Sequence, residues 1–474
     1  MNKKLLIVFA FLSVLSKLDV SAQSKDYDVK MGEAAAVAVI EKYGIYNNSE
    51  LKTYVDEIGY SLVDQLSEDL FEFRFIILDD PTPNAFALLG GYVFITRGLL
   101  ALVNNADELA GVIGHEIVHV QKRHGVKQMR HSILPTVLQV PFQIAGGILG
   151  GSLGQMVEAP ASIGASMFNS SYSRRHETES DKLGIVLAAR SGFDPSALSG
   201  ILERIIDWEE SLSDFEESRS YFSSHPYTPD RVENISAVSK QLEWSPSELH
   251  KTSAVNHLHD LLFWNNPKKG IFVENVFLHP TMDFSVSYPE KWSYSNKTSS
   301  VGATNKDQTA SILLGINTIN QSPKSLAKAF MRDLKEYNRK LEVVNKPLLI
   351  GDSTAHMVKV TESVNKDQMT LMMVWIAHGS LIYNFTAISH KDIEEEVLIT
   401  ANSLHPLTEK EKDEILEYRL KVVQAKEGET FEMLSRRTGN MLGESMWKTL
   451  NGRKENEDFT GGEKIKIIVE SPYF

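Results

Sequence analysis

The sequence predicts an α+β multidomain protein: a mainly helical domain with a small β-sheet, an α+β domain on an antiparallel sheet, and a small βααβ module. Three observations predict it. Between about residues 30 and 265, apolar positions recur at three- and four-residue spacing, the period of a helix. From 268 to 405, short runs alternate apolar and polar residues, the period of a strand. From 412 to 474, a strand pattern, two short helical patterns and a second strand pattern follow in turn.

Residues 1–22 stand apart from these domains. MNKK is basic, LLIVFAFLSVLS is an apolar run, and Val20-Ser21-Ala22 supplies small residues before Gln23. That is the pattern of a secretory signal peptide, and the run is too short to span a bilayer. With no cysteine in 474 residues, the chain carries neither disulfides nor a lipid-modifiable cysteine behind the signal. A bacterial periplasm is the expected compartment, with no transmembrane segment after signal removal. Hydrophobic content of 42% and charged content of 23% are those of a globular protein. The signal contains Lys3, Lys4, Lys17 and Asp19, so its removal takes two positive charges and moves the formal net charge from −13 to −15. Such acidity argues against nucleic acid or anionic membrane as the main partner.

In the helical tract (23–265), MGEAAAVAVIEKYG and ELKTYVDEIGYSLVDQL read as amphipathic helices. FEFRFIILDD reads as a strand; after the turn residues PTPN, GGYVFITRGLL reads as a second strand running into a helix. ADELAGVIGHEIVHVQKRH reads as a helix, with Asp107 as its expected cap. IAGGILGGSLGQMVEAPASIGASM (144–167) is apolar but broken by glycine and proline, the signature of a flexible helical hairpin or loop over a groove. In the second tract, FSVSYPEKW, ASILLGINTI, AHMVKVTES, MTLMMVWIAH and SLIYNFTAIS are strands, and SPKSLAKAFMRDLKEY is a helix among them. Trp292 and Trp375 sit in apolar strands and are expected in the core. NNPKKG (265–270) and EKEKDE (409–414) mark the expected boundaries; no internal repeat is present.

GHEIVHVQKRH (114–124) carries the chemistry. His115 and His119, four residues apart on a helix, share one face, the spacing with which two imidazoles bind one tetrahedral zinc. Glu116 sits about 100° round the helix, where it reaches a metal-bound water without ligating the metal. Unliganded, these polar groups would be costly to bury on so apolar a helix. His124, nine residues beyond His115, points about 180° away on a continuous helix. A longer HExxHxxGxxH arrangement would need glycine at 122 and histidine at 125, where Lys122 and Gly125 stand. His124 is therefore expected behind the ligands or at the helix end. The remaining ligand must come from another element. SRRHETESDKLG (173–184) places Glu177 and Asp181 four apart, one suited to the metal and the other to a ligand imidazole. A solvated, charged helix start is the competing reading of that segment. His176 faces elsewhere.

Four motifs now stand in order: NAFALLGGYVFITRGLL (84–100), ELAGVIGHEIVHVQKRHG (108–125), SRRHETESDKLG (173–184) and SSHPYTPDRVENI (223–235). Over about residues 30 to 240 the chain resembles the zinc metalloprotease family of HtpX and the CAAX prenyl proteases (Ste24-like), in its soluble periplasmic, BepA-type branch. Ser180 stands where the family usually has alanine. The resemblance implies a gluzincin-like zincin domain binding one Zn2+ through His115, His119 and Glu177. It makes Glu116 the general base and Asp181 the residue that orients a ligand histidine. It places His225 and Arg231 near the site, as donors to the developing oxyanion; alternatively His225 fills the open zinc position in a resting state. A strand ending beside the HExxH helix could pair with an extended substrate. That makes Asn84, Ala85, Phe86, Gly90, Gly91 and Tyr92 candidate substrate-binding residues, with Gly90-Gly91 admitting close backbone approach; a turn in a plain hairpin is the other reading.

The 268–405 tract weakly resembles a PsbP-like fold. The terminal module resembles a LysM domain through VVQAKEGETFEMLSRRTG, LNGRK and FTGGEKIKI, which implies peptidoglycan attachment, with packing against the protease as the alternative. The expected activity is zinc-dependent hydrolysis of unfolded or misassembled cell-envelope proteins. The competing function is a chaperone-like or wall-attached scaffold that rarely cuts.

Overall fold

The computed structural model describes residues 25–68, 70–127, 171–212, 221–251, 253–297, 300–317, 321–337, 341–364, 367–453 and 459–474. The expected signal peptide and the 144–167 tract lie outside these residues. Two compact units form: described residues up to 264 together with 418–470, and residues 265–417 together with 471–474. No helix among the described residues is long and apolar enough to cross a membrane.

In the first unit, α1 (Lys25–Tyr43) buries Ala35, Ala36 and Val39 with Phe86, Leu88 and Phe94, and α2 (Ser49–Val63) buries Leu51, Val55, Ile58 and Leu62 in the main core. A three-stranded sheet has β1 (Arg74–Leu78) parallel to β3 (Tyr92–Thr96), and β2 (Ala85–Leu88) antiparallel to β3, giving the order β1-β3-β2. β2 is therefore an edge strand. Thr96 N–H donates to the Asn84 carbonyl at 2.9 Å, which fixes the alternation along the ladder. Phe86 and Leu88 bond inward to β3, whereas Ala85 and Ala87 turn their N–H and C=O toward the free edge.

β3 runs into α3 (Arg97–Leu102) and then α4 (Ala106–Gln121), the HExxH helix. The cap of α4 is Asn105, whose side chain accepts from Glu108 N–H at 2.9 Å, two residues earlier than the expected Asp107. Asp107 instead accepts from Asp194 N–H at 3.0 Å and lies 2.8 Å from His250 Nδ1. Beyond Gln121 the helix does not continue: Arg123 adopts a left-handed φ of 53°, and its guanidinium is held by the buried Asp28 of α1 at 2.5 and 2.8 Å.

Next come α5 (Arg174–Arg190), α6 (Ala197–Ser211), the single turn α7 (Tyr221–Ser224), α8 (Pro229–Ser239) and the short β4 (Leu261–Leu262). Ser173 caps α5 by accepting from His176 N–H at 3.3 Å. α5 lies directly on α4 where two glycines meet. A Cβ on Gly184 would stand 2.8 Å from the His115 nitrogen, so no larger residue fits without parting the helices.

The second unit has a small antiparallel sheet of β5 (Ile271–Val273), β6 (Val276–His279) and β7 (Phe284–Ser287). Its larger sheet comprises β8 (Ser293–Lys297), β9 (Ser300–Thr304), β10 (Ala310–Asn317), then, after α9 (Pro323–Tyr337), β11 (Glu342–Ile350), β12 (Ser353–Val364), β13 (Asp367–His378) and β14 (Leu381–Ser389). The order is β11-β12-β13-β14-β10-β9-β8, antiparallel throughout. α9 covers one face through Ala327 and Leu334, where Trp375 is buried; Trp292 packs against the core of the other face. α10 (Glu394–Asn402) and α11 (Glu409–Asp413) complete the unit, α11 opening on a Thr408–Glu411 capping box.

The terminal pattern forms as β15 (Leu416–Gln424), α12 (Phe431–Thr438), α13 (Glu444–Asn451) and β16 (Lys464–Pro472). β15 pairs with β4 as well as neighbouring β16, and Leu434, Trp447, Leu450, Ile465 and Ile467 join the core of the first unit. Buried Lys466 donates to the carbonyls of Ala101 and Val103 at 2.6 and 3.2 Å, at the end of α3. Beside it, wholly buried Arg97 donates to Asp79 at 2.7 Å and to the carbonyls of Leu262, Phe263 and Trp264 at 2.7–2.8 Å. Replacing Arg97 with Leu should cost about 3–5 kcal/mol, because a buried carboxylate and three carbonyls lose their cation. Equilibrium urea unfolding measures it; a loss below about 1 kcal/mol, that of an ordinary hydrogen bond, would show that the cluster is not structural.

Candidate active site

α4 presents His115 and His119 on one face, as their spacing requires, and both rings are buried. Their Nε2 atoms stand 2.9 Å apart. Because Gly184 lets α5 lie against α4, Glu177 reaches the same point: Oε1 is 3.3 Å from His119 Nε2 and Oε2 is 3.6 Å from His115 Nε2. The turn α7 delivers His225, whose Nδ1 lies 3.3 Å from both His115 Nε2 and Glu177 Oε1. The four groups can each offer one atom such that all lie within 4.8 Å of one another.

This donor set fits a metal. A tetrahedral ion with bonds of 2.0–2.1 Å holds its ligand atoms about 3.3 Å apart; the five nearest separations named above run from 2.9 to 3.6 Å, within a group spanning up to 4.8 Å. The surroundings are those of a ligand set as well. Asp181 Oδ1 lies 2.9 Å from His115 Nδ1, on the side of the ring away from the ligand point. Glu116, next along α4, is fully buried, and neither carboxylate oxygen has a hydrogen-bond partner among the described residues. Oε1 lies 3.4 Å from His225 Nε2.

Arg231, expected as a donor to an oxyanion, is buried beside the ligand group and bonds to carboxylates and carbonyls. Its Nε and Nη2 donate to the two oxygens of Asp181 at 2.8 Å each, and Nη1 stands 2.8 Å from Glu177 Oε2. Nη1 also donates to the carbonyls of His225 and Pro226 at 3.2 and 3.3 Å. The guanidinium thus fixes two carboxylates and the His225 turn together.

Burial and charge oppose each other across the site. Burial would raise the carboxyl of Glu177, but His225 and His119 outweigh it and hold the group well below the usual carboxylate range. Burial likewise works against Asp181, where contacts with His115 and Arg231 win and lower it. At Glu116 burial wins, pushing the carboxyl up despite His225 and His115. Burial also holds the His119 imidazole well below its ordinary value, so its neutral, ligating form is favoured.

The candidate substrate strand is placed differently from its expectation in part. Asn84, Ala85, Phe86, Gly90, Gly91 and Tyr92 are all buried. Ala85 and Ala87 hold the outward main-chain groups, while Phe86 stacks on Phe94 and the Tyr92 hydroxyl accepts from Arg74 at 2.6 Å on the central strand. The two glycines admit the protein's own chain rather than a substrate: with φ of 78° and 100°, added Cβ atoms would meet Val29 Cα at 2.9 Å and the Glu72 carbonyl at 2.2 Å.

Three residues escaped the sequence reading. The Tyr172 ring lies 3.9 Å from that of His119, and its hydroxyl donates to the Ala87 carbonyl at 3.4 Å, on the free edge of β2. Tyr221 stacks on His225 at 4.5 Å with 14° between the planes. Ser180, read only as a small residue, places its hydroxyl 3.3 Å from His124 Nδ1. Tyr172 precedes α5 and carries no helical spacing, whereas Ser180 lies on α5 three residues after Glu177 and Tyr221 lies four residues before His225. His176 stacks on His124 and lies outside the ligand group, as expected.

Residues 48–239 match the peptidase family M48. A beta-barrel assembly-enhancing protease of Yersinia pestis is 27% identical over 232 residues, 47% of this chain and 46% of the relative. A mitochondrial metalloendopeptidase of Schizosaccharomyces pombe is 27% identical over 243 residues, 50% of this chain and 66% of the relative. The metalloprotease LoiP of Escherichia coli is 29% identical over 188 residues, 40% of this chain and 70% of the relative. The chain thus spans less than two thirds of the first two relatives' length. The family match and the four converging ligand atoms fall on the same stretch of chain, residues 48–239.

Proposed function

We propose that the protein is a zinc-dependent endopeptidase acting on unfolded or misassembled cell-envelope proteins in a bacterial periplasm. The buried convergence of His115, His119 and Glu177 beside an unpartnered Glu116 carries the reading. When bound, zinc supplies Lewis acidity toward the scissile carbonyl and makes water more acidic. Glu116 takes the proton of the attacking water and returns it to the leaving amine. Asp181 holds the His115 ring, and Arg231 keeps Asp181 and Glu177 ionised and in place. The Yersinia relative, named for β-barrel assembly, supports an envelope substrate. So does the edge strand: main-chain pairing with Ala85 and Ala87 selects extended chains with little regard for their side chains. An incoming strand competes with Tyr172 for the Ala87 carbonyl.

His225 Nδ1 would hold the fourth ligand place, which catalytic sites leave open. This is the resting arrangement, and His225 withdraws for turnover. The LysM-like order of β15–α12–α13–β16 supports contact with peptidoglycan, which co-sedimentation of the protein with purified sacculi tests; a protein left wholly in the supernatant excludes it.

Unfolded protein incubated with wild type and Glu116→Gln, with and without a zinc chelator, tests the activity. Wild type should cleave, the chelator should abolish cleavage, and Glu116→Gln should bind zinc yet lose at least about 100-fold in rate, the scale of general-base catalysis. Equal cleavage by both proteins would sink the assignment. His225→Ala should weaken zinc binding, measured by chelator competition, and raise basal cleavage. If neither quantity moves, the resting role of His225 is wrong.

A further inference from the structure

The end of α4 holds a group that the proposed chemistry does not use. Because Arg123 turns the chain out of the helix, His124 does not point away from the ligands as a continuous helix would require. It folds back behind His119 and is wholly buried. His124 Nδ1 lies 3.1 Å from His119 Nδ1, with the rings at 80°. On its far side, His124 Nε2 lies 3.3 Å from a carboxylate oxygen of Glu179, two residues along α5 from the ligand Glu177.

We propose that His124 and Glu179 are positioning residues for the metal site, a histidine–carboxylate relay that orients His119 as Asp181 orients His115. The inference rests on the metal ligation by His119 proposed above. Its argument is one of tautomers. His119 faces the other ligand atoms through Nε2, so its neutral ring carries the proton on Nδ1. That N–H points at His124 Nδ1, which must accept. A neutral His124 that accepts at Nδ1 carries its own proton on Nε2, where the carboxylate of Glu179 receives it. All the contacts are then satisfied at once. The opposite tautomer of His124 would set two N–H groups against each other at 3.1 Å and turn a lone pair toward a carboxylate. Ser180 Oγ approaches the same Nδ1 at 3.3 Å, a longer contact than that of His119, and steadies the ring from α5. Each ligand imidazole thus has its second nitrogen held by a group outside the metal's reach, one through Asp181 and one through His124.

Two substitutions separate positioning from packing. His124→Asn keeps an acceptor oxygen where Nδ1 stands; His124→Leu keeps the volume and removes the acceptor. Zinc dissociation constants come from competition with a chromogenic chelator, and thermal melts of the zinc-free proteins check that both variants fold. His124→Leu should lose roughly 10–100-fold in zinc affinity, the usual effect of deleting such a partner. His124→Asn should recover most of that loss, and Ser180→Ala should lose less than His124→Leu. Equal losses in Leu and Asn, or wild-type affinity in a folded His124→Leu, would overturn the relay. Should the wild-type protein itself bind no zinc, the metal reading falls and the relay with it.

Discussion

The contact of α4 with α5 at Gly114 and Gly184 is the constraint on which the rest of the structure depends. Helix axes come closest where side chains are absent, and here the Gly184 backbone lies against the His115 nitrogen. Only at that distance do carboxylates on α5 meet imidazoles on α4. Glu177 then reaches the ligand point, Asp181 reaches the back of His115, and Ser180 and Glu179 reach His124. Four contacts of α5, at positions 177, 179, 180 and 181, follow from one helix pairing.

The second governing fact is charge in a dry place. Three carboxylates, three imidazoles and one guanidinium are all buried around the ligand point. Burying unpaired charge is expensive, so such a cluster persists only where every member has a counterpart. Arg231 compensates two carboxylates directly. A divalent cation would compensate more, and the spacing of the ligand atoms suits one. Glu116 is left with its negative form disfavoured by burial and with no hydrogen bond among the described residues.

The terminal βααβ segment changes the meaning of domain order in this chain. Although it lies more than 150 residues from β4 in sequence, β15 pairs with that strand and Lys466 reaches the carbonyl end of α3. The core of the first unit is therefore completed by residues from the far end of the polypeptide, and the intervening antiparallel unit is an insertion between two parts of one core. Composition and strand patterns define the separate pieces. They hold no information on which pieces share a core.

What the sequence determined by itself is local. The helical period of 106–121 and the four-residue spacing of His115 and His119 placed two imidazoles on one face, because helix geometry permits no other outcome. The same rule placed Glu177 and Asp181 together, and alternation identified the strands of the antiparallel sheet. What only the tertiary structure decided begins where a helix ends. Asp28, from the other side of the domain, holds Arg123 in a left-handed turn, and that turn sends His124 toward His119 instead of 180° away. Tyr172 and Tyr221 enter the site through chain segments with no periodicity, and Arg231 meets its carboxylates across 50 residues. Periodicity fixes direction only within a continuous element; once the chain turns, long-range packing and charge pairing decide where a side chain points.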